Sequence, residues 1–144
     1  MAFGKLTEKM KKKSGELKEL GQEFGETKIE EFVAEFNRTL PILEEAGFTL
    51  AELAVDMGLP PKLAPYFLIG TVPDEAGQAA LLERNKENKR VKLMLTTLFN
   101  AVALQGNLKI DGMHPEGVEI EISTMPVTRL KFVDAHKAAL TKRQ

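Results

Sequence analysis

Cysteine and tryptophan are both absent from the 144 residues. Without cysteine there is no disulfide framework and no thiolate metal site, and a reducing compartment is compatible. There is one tyrosine, Tyr66, with two histidines (His114, His136) and two serines (Ser14, Ser123), so few side chains can act as base or nucleophile. No run of eighteen apolar residues occurs, which argues against a membrane-spanning helix. Neither sign of charge dominates: 20 basic and 21 acidic residues leave a net −1, giving no whole-molecule attraction to nucleic acid or anionic lipid. The opening MAFGKLTEKMKKK lacks the apolar core of a secretory signal, so a cytoplasmic location is expected.

Chemical motifs are equally scarce. No phosphate-loop or dinucleotide-binding glycine pattern is present, and Ser123 belongs to no Gly-x-Ser-x-Gly elbow. Asp111, His114 and Glu116 fall close together, but no second histidine accompanies them at helical ligand spacing. An exposed turn accounts for them better than a metal site. Glu119 and Glu121 have basic residues close by, which suits them poorly to acid catalysis. These absences predict a protein that is not an enzyme, with no cofactor, no metal site and no catalytic residues.

What is present is a sharp change of side-chain rhythm. Val91 to Leu104 (VKLMLTTLFNAVAL) is apolar on nearly every side of a helix, as a buried helix must be. The polar octet ERNKENKR precedes it and has no helix breaker. One helix over 75–104, or two with a break near Asn85 to Asn88, both fit, and Asp74 is a natural N-cap. Earlier, Thr27 and Glu30 fit a capping box for a helix over 28–46. Ile29, Phe32, Val33, Phe36, Leu40 and Leu43 form its apolar face, Pro41 should kink or divide it, and Gly47 should stop it.

Period two takes over elsewhere. In VEIEISTMPVTRLKF, Val118, Ile120 and Ile122 alternate with Glu119 and Glu121, and Thr128, Leu130 and Phe132 with Arg129 and Lys131. A loop at Thr124-Met125-Pro126 would set Ile120 opposite Leu130, Glu121 opposite Arg129 and Glu119 opposite Lys131. Residues 53–69 also alternate, which favours a second hairpin. The competing reading there is a degenerate helix-turn-helix over 49–67, weakened by Pro61 and Pro65. Pro65 would confine its strand to an edge or a bulge. Leu108 and Ile110 suggest a short strand over 107–111, followed by turn chemistry at Asp111-Gly112 and His114 to Gly117. Asp134 is placed to cap a short C-terminal helix.

The two halves are alike at an offset of 65, where Leu53, Val55 and Met57 match Val118, Ile120 and Ile122, and Pro61 matches Pro126. The predicted fold is therefore α+β. Two main helices cover a small antiparallel sheet of about five strands (51–57, 63–69, 107–111, 118–123 and 127–133) with two hairpins and a duplicated helix–hairpin unit. Residues 27–144 form the single domain, and 1–26 an N-terminal amphipathic helix or arm.

That arm carries the candidate sites. Phe3, Leu6, Met10, Leu17, Leu20 and Phe24 make one narrow apolar stripe, suited to a protein partner or a second copy. Lys9, Lys11, Lys12 and Lys13 are the candidates for lipid headgroups, although lysine and glutamate balance over residues 1–31. The function expected is a non-catalytic binding or assembly module acting through protein–protein contacts. The alternatives are a peripheral membrane protein using the N-terminal helix, or DNA binding through 49–67. Nothing in the sequence identifies a small-molecule ligand.

Overall fold

The computed structural model describes residues 2–26, 29–58 and 61–134. Four helices and four strands follow one another as α1 (Ala2–Glu26), α2 (Ile29–Glu45), β1 (Phe48–Asp56), β2 (Lys62–Ile69), α3 (Glu75–Arg84), α4 (Lys89–Asn107), β3 (Met113–Glu121) and β4 (Val127–Asp134). The strands form one antiparallel sheet in the order β1-β2-β3-β4. The fold class is α+β. Among the described residues no helix is long and apolar enough to cross a membrane.

Helix α4 is the centre of the core: Val91, Met94, Leu95, Leu98, Phe99 and Ala101 are all buried. They meet Phe48, Leu63, Phe67, Val118, Ile120 and Ile122 from one face of the sheet, and Phe32, Phe36 and Leu43 from α2. The polar octet does break the helix. Asn85 caps α3 by donating from Nδ2 to the Leu81 carbonyl at 2.8 Å, and the Asn88 side chain accepts the Val91 N–H at 3.2 Å to start α4. Asp74 likewise caps α3, accepting the Gly77 N–H at 2.9 Å. Pro41 does not divide α2, which runs through it to Glu45. The backbone then turns at Gly47 with φ +100°, a left-handed conformation that suits glycine. The capping threonine Thr27 lies outside the described residues, as does the helix expected after Asp134.

Several expectations for the sheet are corrected. Among the described residues there are four strands, not five. Residues 107–111 are the end of α4 and an irregular connection, because Gly112 (φ +75°) makes the turn that launches β3. His114 to Gly117 is strand, not turn, and carries a bulge between Pro115 and Gly117. Residues 49–56 and 62–67 form strands, so the helix-turn-helix is not formed there. Pro65 sits on a central strand. Its missing N–H appears instead as a gap in the β2–β3 ladder, which pairs Leu63 with Ile122 and resumes at Tyr66 with Glu119.

The β3–β4 register is displaced by two residues from the one read from the sequence. Glu119 opposes Arg129, Ile120 opposes Thr128 and Glu121 opposes Val127. Ile122, just past the last β3–β4 pair, exchanges both backbone hydrogen bonds with Leu63 of β2, at 2.7 and 3.1 Å. A shift of two keeps every side chain on its face, so the apolar side remains dry. The charge pairs survive as diagonals. Arg129 Nη1 donates to Glu121 at 2.7 Å and also to Glu119, and Lys131 Nζ lies 3.7 Å from Glu119.

The two hairpins superimpose pair for pair at the 65-residue offset. Phe48↔Ile69 in β1–β2 becomes Met113↔Asp134 in β3–β4, and Asp56↔Lys62 becomes Glu121↔Val127. The bulge after Leu50 in β1 recurs after Pro115 in β3, and Gly47 and Gly112 both have positive φ. Each strand pair follows a helix, α2 or α4.

Helix α1 closes over this framework. Leu17, Leu20 and Phe24 are buried in the common core, and the Phe24 ring meets Phe32 edge-on at 4.8 Å. Arg90 pairs with Glu23 on α1 and Glu35 on α2, and lies 5.4 Å over the Phe32 ring. At Gly21 the helix backbone approaches Ser123 so closely that a Cβ would overlap its carbonyl group.

Candidate functional site

A four-stranded sheet has two outer edges, and here they carry opposite chemistry. Helices cover the inner face. On the other face β1 presents Glu52 and Asp56, both exposed, while β4 presents Arg129 and Lys131. The first edge is therefore acidic and the second basic. On the inner face, Leu53 and Val55 of β1 and Leu130 and Phe132 of β4 are half-buried. Their 65-residue equivalents in the central strands, Val118, Ile120, Pro65 and Phe67, are fully buried. Met57, just past β1, is 73% exposed, whereas its equivalent Ile122 is 1% exposed. Among the described residues no strand pairs with the outer side of β1 or β4, and unpaired strand edges are templates for another strand.

The middle of the outer face is closed by Tyr66, only 5% exposed. Its hydroxyl donates to Glu116 at 2.5 Å, and Lys131 Nζ lies 4.8 Å from the ring centroid. Burial, with the Glu116 carboxylate second, pushes the phenol above its ordinary pKa of 10.0. Gly117 admits this ring: a Cβ there would stand 2.7 Å from the Tyr66 hydroxyl. The guanidinium of Arg129 is held charged above its ordinary range by hydrogen bonds to Glu121 and Glu119. These interactions brace the outer face.

The stripe residues read from the N-terminal helix divide. Leu17, Leu20 and Phe24 are inside the core, Met10 packs partly against it, and the side chains of Phe3 and Leu6 lie outside the described residues. Lys9 and Lys12 are exposed, and Lys13 pairs with Glu16 at 2.8 Å; the Lys11 side chain lies outside the described residues. Lys9, Lys12 and Lys13 line an open cleft of about 620 Å³ beside Gln78, Phe99 and Asn100. The Asn100 Nδ2 is buried there without an acceptor, and Glu75 on the cleft wall offsets part of the positive charge. A second groove, of about 300 Å³, runs past Met10, Leu17, Thr97, Leu104 and Leu130.

Sequence reasoning missed the edges as a pair, because strand order is not visible in a sequence. The signal was nonetheless present, in the acidic outer positions of the first strand, Glu52 and Asp56, and the basic ones of the last, Arg129 and Lys131. Asp111 is exposed, His114 half-buried on β3 and Glu116 bonded to Tyr66; among the described residues no three metal-ligating side chains gather. Comparison with family models, with curated proteins and with solved structures finds no match for this chain.

Proposed function

We propose that the chain is a non-catalytic binding or assembly module that joins protein partners through the open edges of its sheet. Its two hairpins, on the same reading, descend from one duplicated helix–hairpin unit. The observation carrying the proposal is the contrast between equivalent positions: apolar residues fully buried in the central strands are half-exposed in β1 and β4. A strand added at either edge would take up the unpaired backbone groups and cover those side chains, which is strand augmentation. The identical register of the two hairpins supports the duplication.

The test uses strands of the chain itself as probes. Because β3 pairs with β2, a synthetic peptide of residues 113–122 should add to β4, the equivalent of β2. A peptide of residues 62–69 should add to β1 for the same reason. Titrated into the ¹⁵N-labelled protein, each is expected to shift backbone amides of its target edge and spare α3. No shift up to about 1 mM, the weak limit for a specific contact, would refute edge binding.

A further inference from the structure

We propose that the edge partner is a second copy of this chain, docked head to tail so that β4 of one copy pairs with β1 of the next. This rests on the edge-binding reading above and names its occupant.

The contact between the two hairpins inside one molecule supplies the register. There β2 meets β3 with Leu63 opposite Ile122, Tyr66 opposite Glu119, and Phe67 opposite Val118. At the 65-residue offset, β4 is the equivalent of β2 and β1 of β3. The same contact between copies sets Thr128 opposite Met57, Lys131 opposite Ala54 and Phe132 opposite Leu53. Between these pairs Arg129 faces Asp56, and Leu130 faces Val55. All side chains fall on the correct faces: apolar with apolar toward the helices, basic with acidic outside. Lys131 is then diagonal to both Glu52 and Asp56. The ladder stops at Leu53, because the next position is occupied by Gly117 inside the molecule, where a Cβ would collide with the Phe67 carbonyl. Pro65, which interrupts the internal ladder, is replaced in β4 by Leu130, so the contact between copies can run unbroken.

The alternative self-contacts are opposed by charge. Two β1 edges would bring Glu52 and Asp56 against their own copies, and two β4 edges would do the same with Arg129 and Lys131. Met57 finds a place only in the head-to-tail arrangement, as Ile122 does inside the molecule. Such a contact is heterologous, so the assembly either closes into a ring or extends.

Sedimentation of the full chain tests this from about 10 μM to about 1 mM, the range of weak specific contacts. The weight-average mass is expected to at least double from the 16.0 kDa of the monomer. Reversing the acidic edge (Glu52→Lys with Asp56→Lys) should hold the protein at monomer mass. So should altering the basic edge (Lys131→Gln with Val133→Glu). An equimolar mixture of the two variants, each checked for native circular dichroism, should rise above monomer mass toward twice that mass and no further, since one intact edge of each kind remains to form a single contact. The proposal is overturned by a monomeric wild type throughout, by wild-type association in either variant alone, or by a mixture that stays monomeric. A monomeric wild type that still binds the strand peptides would remove only the second copy and leave edge binding standing.

Discussion

Gly15 and Gly21 lie six residues apart on one helix, and replacing each by alanine should move stability in opposite directions. Both glycines weaken α1 by about 1 kcal/mol relative to alanine, through backbone entropy. At Gly15 nothing lies within 4 Å of an added Cβ, so Gly15→Ala should gain most of that, about 0.5–1 kcal/mol. At Gly21 the Cβ would land on the carbonyl carbon and oxygen of Ser123, which are backbone atoms at the β3–β4 connection. That connection is tied down, since neighbouring Ile122 bonds to Leu63 and the Ser123 hydroxyl accepts the Met125 N–H at 3.1 Å. Overpacking of this kind costs about 1–3 kcal/mol, with larger values when backbone must move. The steric term exceeds the propensity gain, so Gly21→Ala should destabilise by about 1–2 kcal/mol net. Urea unfolding followed by circular dichroism gives both values from midpoint shifts at constant slope. A stabilising Gly21→Ala, equal to Gly15→Ala, would mean that α1 is not seated on Ser123 and would refute its place in the core.

Two further outcomes follow from buried polar groups. Thr97 is fully buried with no hydrogen-bond partner for its Oγ1, so Thr97→Val should stabilise by about 1 kcal/mol in the same urea assay; a loss of stability would show that the hydroxyl is satisfied. Tyr66 is the sole tyrosine, so absorbance near 295 nm reports its ionisation alone. Its pKa is raised in the fold, so the neutral phenol is favoured there; the stabilisation is complete below the ordinary value of 10.0 and falls as pH rises past it. Native titration near 10, matching the unfolded chain, would contradict its burial under Lys131 and its bond to Glu116.

Much of the fold was legible in the sequence for reasons of period. Alternation marked both hairpins, since a half-buried strand must keep one side dry, and the all-round apolar stretch 91–104 marked the central helix. Asp74 and Gly47 acted as read because capping and left-handed φ are local demands. The errors concern how strands are assembled, which local rhythm does not report. Pro65 is placed on a central strand by the meeting of β2 and β3, whose partners lie 49 to 59 residues apart, and His114 and Pro115 are held as strand by pairing with β4. Period fixes the parity of a strand but not its displacement by two, so the faces were right and the partners were not. At 107–111 the alternation was too short to outweigh the propagation of α4 to Asn107.

The candidate site was less legible because edges exist only once strands have an order. The offset of 65 bridges that gap. Where two hairpins of the same register sit side by side, differences between equivalent residues report differences in surroundings. Ile122 is covered and Met57 is bare; Gly117 admits the Tyr66 ring, while Glu52 occupies the equivalent place on the outer strand; Tyr66 is sealed, while its equivalent Lys131 is half-buried over the Tyr66 ring. Solvent alone would account for the polar members of this set. It does not account for a large apolar side chain left bare at the end of an acidic edge. That feature is explained if the outer edges meet strands as the inner ones do.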